Sequence, residues 1–305
     1  MAEEWNRFVA RSKQGTFLLD RSYMDYHGER FADHSLMVFR KGKLFALLPA
    51  NADGNTLYSH QGLTYAGLLT DERAVPENVC EAFGCINTYL SDAGFRRVVY
   101  KPIPHIYHRM PAEEDVFALF LRCRARLVER DASSALLMSK RTKFAESRRS
   151  GIRKAVAAGV TVGESDRIYD FWRILTDNLF CKYGSAPVHS VDEMRLLMSR
   201  FPENIHLFMA YDAERQPLGG TVLYITPQVV HTQYISASPE GKRLGALDLL
   251  FHHLINERAF PQTYFDFGTS ALGQTNELNT QLIFQKQGFG ARTVCYDWYE
   301  WNTDH

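Results

Sequence analysis

The residues best placed to do chemistry lie between Gln228 and Phe260, QVVHTQYISASPEGKRLGALDLLFHHLINERAF. The β-branched and aromatic run Val229 to Ser236 predicts a strand. Ser238-Pro239-Glu240-Gly241 predicts a turn, with Ser238 as a helix cap and Pro239 as the first helical residue. Leu244, Leu247, Phe251, Leu254 and Ile255 recur at helical spacing, which predicts a helix of roughly five turns. A strand, a small-residue turn and a helix start leave backbone amides open near Gly241 and Gly245, a suitable seat for an anion or a carbonyl oxygen. The same pattern equally makes a tight strand-to-helix connection with close packing. On a regular strand His231 and Gln233 face one side and Thr232 and Tyr234 the other, so His231 and Tyr234 would not share a cleft. Tyr234 then reads either as a proton-handling group or as a core tyrosine with a satisfied hydroxyl.

Two more clusters combine polar, aromatic and glycine residues. One is the loop CKYGSAPVHS, which carries Lys182, Tyr183 and His189. It reads as a ligand loop or as a solvated connection. The other joins Ser59 to Gly67, with His60, Gly62 and Tyr65, to the run KPIPHIYH, with Tyr107. Its glycines admit a ligand close to the backbone, and its aromatic and histidine side chains suit a sugar or pantetheine face. Two β-turns and a proline-rich corner account for the same residues.

Composition bounds the rest. The 305 residues allow one large or two medium domains. Lys plus Arg and Asp plus Glu are 35 each, so overall charge does not argue for nucleic acid or an acidic membrane. The five cysteines are scattered, without metal spacing, as expected of reduced thiols in a cytoplasmic protein. No signal-peptide run opens the chain, and no stretch is long and apolar enough to span a bilayer. The basic run from Lys140 to Lys154 predicts a helix; it is a solvated face unless a phosphate carrier binds there.

The elements needed to position these residues occur twice. Hairpins are predicted at 36–48 and 205–225, each followed by a strand, a long helix (76–93, 241–259) and another strand (95–101, 263–268). A short helix at 3–12, helices at 18–27, 113–120, 167–179, 191–201 and 276–287, and strands at 122–128, 160–162 and 291–298 complete the reading. Two related units follow, 1–139 and 140–305.

The order helix, hairpin, strand, turn, helix, strand resembles the GNAT-like acyltransferase fold, and two such units resemble its FemAB-like branch. RRSGIRKA, ending in AGVTV, is similar to the basic helix and strand opening the second FemAB-type domain. YFDFGTS with Asn279-Thr280-Gln281-Leu282 and then QKQGFGA is similar to that family's C-terminal strand, helix and strand. The resemblance implies an α/β (α+β) fold of two tandem GNAT-like domains, each a mixed, mainly antiparallel sheet flanked by helices. It implies N-acyl transfer from acyl-CoA, without a metal, to the amine of an amino sugar or peptide-like acceptor in envelope or polysaccharide synthesis. The acceptor is a small-molecule or carrier-linked amine.

Such transfer needs a deprotonated amine, a polarised carbonyl and a protonated leaving group. Tyr234 and Asp266 are the proton-handling candidates. Ser236, Ala237, Lys242, Arg243, Gly245, Ala246 and Asn279 are the donor-binding candidates. His60, Gly62, Tyr65, Tyr107, Lys182, Tyr183 and His189 are the acceptor-binding candidates. Asp248, in or beside an apolar stripe, needs a partner and either bonds a loop or sits near the reacting amine. One departure stands out: where acetyl-CoA enzymes of this fold carry Arg/Gln-x-x-Gly-x-Gly/Ala, this chain has Lys242-Arg243-Leu244-Gly245-Ala246-Leu247. That leaves an aminoacyl-tRNA donor as an alternative, although the neutral total charge does not favour tRNA. A non-catalytic binding module on the same duplicated fold is a further alternative.

Overall fold

A computed structural model describes residues 1–270 and 277–303. In chain order the elements are α1 (Ala2–Arg11), α2 (Arg21–Met24), β1 (Ala32–Asp33), β2 (Leu36–Arg40), β3 (Lys43–Leu48), β4 (Asn51–Asp53), β5 (Thr56–Tyr58) and β6 (Leu69–Thr70). Then come α3 (Pro76–Asp92), β7 (Arg97–Tyr100), α4 (Glu114–Leu121), β8 (Arg126–Leu137), α5 (Glu146–Ala157), β9 (Thr161–Glu164), α6 (Ile168–Tyr183) and α7 (Val191–Arg200). The chain ends with β10 (Ile205–Tyr211), β11 (Pro217–Ile225), β12 (Val229–Ala237), α8 (Pro239–Leu244), α9 (Ala246–His252), β13 (Tyr264–Thr269), α10 (Thr280–Gly288) and β14 (Arg292–Asn302).

Two compact units result. Among the described residues, the first holds 1–132 and 295–303, and the second 133–270 and 277–294. The strand order of the first is β1-β4-β5-β7-β14, beside a small sheet β2-β3-β6. All its strand pairs are antiparallel except β5 with β7. The β2–β3 hairpin turns through Lys41 and Gly42 at φ 50° and 72°, the left-handed geometry of a two-residue hairpin loop. Its core gathers Leu57, Phe83, Ile86, Leu90, Tyr100 and Trp301 beneath α3.

The strand order of the second is β8-β13-β12-β11-β10-β9, with β12 and β13 the parallel pair. Phe208, Leu223, Val230, Phe251, Phe265, Phe267 and Phe289 form its core on the α9 side of the sheet. Each unit is thus a mixed, mainly antiparallel sheet flanked by helices.

Three sequence expectations change. The five-turn helix breaks at Gly245, which takes φ 77° and separates α8 from α9, and it ends in a π-helical turn, His253–Glu257. The helix expected from Lys140 starts only at Glu146, because Ala145 is extended (ψ 154°). The helix expected at 18–27 is three short turns, of which only α2 is α-helical. The expected helix start at Asn276 lies outside the described residues.

Candidate active site

The second unit opens between β12 and β13. They pair in parallel through only three positions, Val229 with Tyr264, Val230 with Phe265 and His231 with Asp266. Beyond these the strands run on to Ala237 and Thr269 without further pairing to each other. Two irregularities accompany the divergence. The β11–β12 register slips between Val222, opposite Tyr234, and Leu223, opposite Thr232, so Gln233 is a bulge residue. The β13–β8 register slips between Asp266 and Thr269, where Gly268 takes φ 73°.

The bulge reverses the strand reading. Tyr234 lies opposite Val222 and His231 opposite Tyr224, two β11 residues that share a face. His231 and Tyr234 therefore face the same side, together with Asp266 beside His231. Val230, Phe265 and Phe267 take the other side and join the core. A one-residue insertion in the ladder decides which groups share a cleft.

On that side stands a hydrogen-bonded chain. Ser133 Oγ donates to Asp266 Oδ1 at 2.6 Å, and Asp266 Oδ2 meets His231 Nδ1 at 2.8 Å. Asp266 is fully buried. An ionised Asp266 can only accept here, so Nδ1 carries a hydrogen, and the neutral tautomer compatible with this contact has its lone pair on Nε2. Gly268 leaves room for the ring, since an added Cβ would lie 3.2 Å from His231 Cε1. Nearby, Lys286 Nζ donates to Gly268 O, Thr269 O and Ser270 Oγ, each at 2.8 Å. Burial pushes its amine down to about 8 against the opposing pull of Asp266.

Tyr234 makes a second group on the same face. Its hydroxyl meets His189 Nδ1 at 2.5 Å, and its ring packs edge-on against Trp172 of α6. Burial pushes the phenol up to about 12, so it stays protonated at neutral pH. Asn178 of α6 ties down the strand end, with Nδ2 donating to Ser236 Oγ and Ala237 O at 2.8 Å each. Its Oδ1 accepts from Lys242 Nζ at 2.6 Å.

The structure thus groups Tyr234 with His189, and Ser236, Ala237 and Lys242 around Asn178. Arg243 pairs with Glu240 on the exposed face of α8. Ala246 is buried at the start of α9, and Asn279 caps α10 by accepting from Leu282 N at 3.1 Å. The amides expected to be open are bonded: Gly241 N donates to Ser238 Oγ at 3.0 Å, and Gly245 N to Lys242 O at 3.4 Å. At Gly245 a Cβ would lie 2.5 Å from Gly151 O, so this turn is packed against α5. Arg148 of α5 reaches Asp248 Oδ1 at 2.7 Å, which answers where the Asp248 carboxylate finds its partner. Burial nevertheless holds that carboxyl above its ordinary range, Arg148 opposing.

In the first unit Tyr65 donates to Thr16 Oγ1 at 3.2 Å and packs with its ring tilted against Tyr107, which accepts from Tyr296 at 3.0 Å. His60 is buried with φ 57°, its ring edge-on to Phe31, while Gly62 is exposed. Lys182 is exposed on the last turn of α6, and the side chain of Tyr183 lies outside the described part. The sequence reading weighed His231 beside Tyr234 but set the two on opposite faces, and it did not propose Ser133 or Lys286. His231 was hidden by the assumption of a regular strand, and Ser133 carries no local motif.

Residues 139–275 match the family described as acetyltransferase (GNAT) domain. FemX shares this fold over 97% of this chain and 95% of its own, at TM-score 0.67 and 12% identity. The tandem GNAT protein of the clavulanic acid biosynthesis pathway covers 100% of this chain and 95% of its own, at TM-score 0.52 and 10% identity. Residues 139–275 are thus similar to a GNAT domain, and the chain as a whole has the fold of these GNAT-like structures. L-PGS from Bacillus licheniformis has the same fold at TM-score 0.61 and 12% identity, over 98% of this GNAT-like chain and 90% of its own. No curated protein matches in sequence. Among the described residues, no helix is long and apolar enough to cross a membrane and no cluster of His, Cys, Asp or Glu is placed to hold a metal.

Proposed function

We propose that the second unit transfers an acyl group from acyl-CoA to the amine of an amino sugar or peptide-like acceptor, in envelope or polysaccharide synthesis. The observation that carries this reading is the Asp266-anchored His231 where β12 and β13 part. The acceptor amine attacks the thioester carbonyl, a C–N bond forms and the C–S bond breaks. His231 Nε2 takes the amine proton, and Asp266 holds the imidazole in the tautomer that can accept it. Tyr234, kept protonated by burial, supplies a hydrogen bond or proton to the departing sulfur. Backbone amides of β12 past the last parallel pair are the carbonyl-polarising groups. The acceptor enters past His189 and Lys182.

One observation favours a second donor. The turn at Gly245, where a CoA diphosphate was expected, is packed against Gly151. An aminoacyl-tRNA donor does not need that turn. The deciding experiment incubates the protein with acetyl-CoA or longer acyl-CoA and a panel of amino sugars, following free thiol and product mass. Thiol release that requires acceptor and is lost in His231→Ala supports the acyl-CoA reading. No release with any acyl-CoA, alongside transfer from aminoacyl-tRNA, replaces it with the second.

A further inference from the structure

The basic segment before and within α5 does more than present a charged face. A cavity of about 360 Å³ opens between it and the end of α9, and its polar lining is Thr142, Lys143, Arg149, Arg153, His252 and Asn256. Phe144 and Ile152 form its apolar wall. Arg149, Ile152 and Arg153 stand at i, i+3 and i+4 of α5, and His252 and Asn256 at i and i+4 across the π-helical turn. Three fixed positive charges therefore converge, and no carboxylate lines the space.

The walls are held in place. Arg141 donates to Ile255 O, and Ala145 N to Gly288 O at 2.8 Å. Phe144 packs edge-on against both His252 and Phe289. His252 Nδ1 meets Asn256 Nδ2 at 3.0 Å. One acidic group attends the rim: Glu146, which pairs with Arg149 at 2.5 Å and Arg153 at 2.6 Å. Glu257 lies behind His252, 3.4 Å from Nε2. Arg149 Nε is buried without a hydrogen-bond partner in the structure. Arg149 Nη2 is held by Glu146 while Nε is left without a partner, so an oxyanion entering here competes with that carboxylate for the donating fork.

We propose that this cleft binds a phosphate or diphosphate group, that of the nucleotide-type carrier which delivers the acyl group. The identity of the ligand rests on the transferase reading above; the existence of the anion site does not. One helix explains both halves of the arrangement. Gly151 of α5 closes the turn at Gly245, and Lys242 and Arg243 are held by Asn178 and Glu240. The outer face of the same helix offers the cations that the turn does not.

The test uses inorganic pyrophosphate as the probe, by calorimetry at low salt, with no turnover needed. The full chain should bind it, and affinity should fall as salt is raised. Arg149→Ala and Lys143→Ala should each weaken binding roughly tenfold or more, the scale of a charge-assisted hydrogen bond. Arg149→Lys should fall between, because it keeps the charge and loses the fork. Glu146→Gln should tighten binding by removing the competing carboxylate, a gain that a damaged fold cannot mimic. Lys242→Ala should leave it unchanged. Absence of binding at millimolar pyrophosphate, or equal binding by Arg149→Ala, overturns the site. A second arm titrates CoA into the pyrophosphate complex. Displacement supports the carrier assignment, and CoA that binds without displacing pyrophosphate overturns that assignment while leaving the transferase reading intact.

Discussion

Both units contain one parallel strand pair three residues long, joined through helix, and the two pairs end differently. In the first unit Thr56, Leu57 and Tyr58 of β5 lie beside Arg97, Val98 and Val99 of β7. Past this point the chain is stitched together. Ser59 N donates to Val99 O at 2.8 Å, Lys101 N to Ser59 Oγ at 2.7 Å and Ala66 N to Lys101 O at 3.2 Å. The Lys101 ammonium is buried, donates to Leu63 O and lies 4.7 Å from the Trp298 ring centre. At Gly67 a Cβ would stand 3.0 Å from the Tyr100 hydroxyl oxygen, so even a methyl group crowds this corner. In the second unit the pair ends at His231 and Asp266 and the ladder stops. Repeating a topology repeats the end of a short parallel pair; the bonds made there decide whether the chain is stitched together or the two strands part.

The largest effect should come from the open end. Asp266→Asn and His231→Gln should each lower kcat by about 10²–10⁴, the usual share of a positioned acid–base group, with far smaller changes in donor binding. Stopped assays of thiol release alongside circular dichroism separate lost catalysis from lost fold. Retained turnover in His231→Gln would mean the open crevice works without its base.

Next comes the packing that closes the turn. Gly245→Val should destabilise the second unit by about 3 kcal/mol or more, because it forces a branched residue to φ 77° and a Cβ against Gly151 O. Gly54→Ala is the control in the first unit: φ is 58°, nothing lies within 4 Å, and the cost should be about 1 kcal/mol. Equal denaturation midpoints for the two variants would contradict the packing role of α5.

The filled end should announce itself in pH dependence. Burial lowers the Lys101 amine to about 7, against roughly 10.4 in an unfolded chain. Below pH 7 both states are protonated and the burial penalty is fully present. Between about 7 and 10.4 the unfolded chain holds the extra proton, so this residue makes stability rise with pH. Lys101→Met should remove that rise, seen as a flatter difference in urea midpoints between pH 7 and 10. An unchanged slope would place Lys101 in a wetter site than the structure gives it.

The smallest effect is expected at Tyr234. Tyr234→Phe should cost about tenfold in kcat, since one hydrogen bond to the departing sulfur is lost while the ring keeps its contact with Trp172. A loss equal to that of His231→Gln would make Tyr234 the principal proton carrier instead.

Much of this molecule was legible in the residue pattern. Residues 36–48 with Lys41-Gly42 marked a hairpin, 76–93 an amphipathic helix, and the β-branched runs at 205–225 and 229–236 marked strands, because periodicity and turn chemistry are local. The repeated order of elements followed from the same local signals, whereas the mixed sheet flanked by helices was what the resemblance to the GNAT-like fold implied. What the sequence could not supply was register and crevice content. Gln233 has no property that marks it as a bulge residue; only the pairing of β12 with β11 makes it one, and that pairing puts His231 beside Tyr234 on one face. Ser133 and Asp266 are 133 positions apart and meet through the β8–β13 pair. Gly245 announces a tight spot in any reading, but whether a phosphate or the backbone of Gly151 fills it depends on where α5 packs. Local periodicity fixed the elements, whereas long-range pairing and helix packing decided which side chains meet, because those contacts depend on register that no short window of sequence contains.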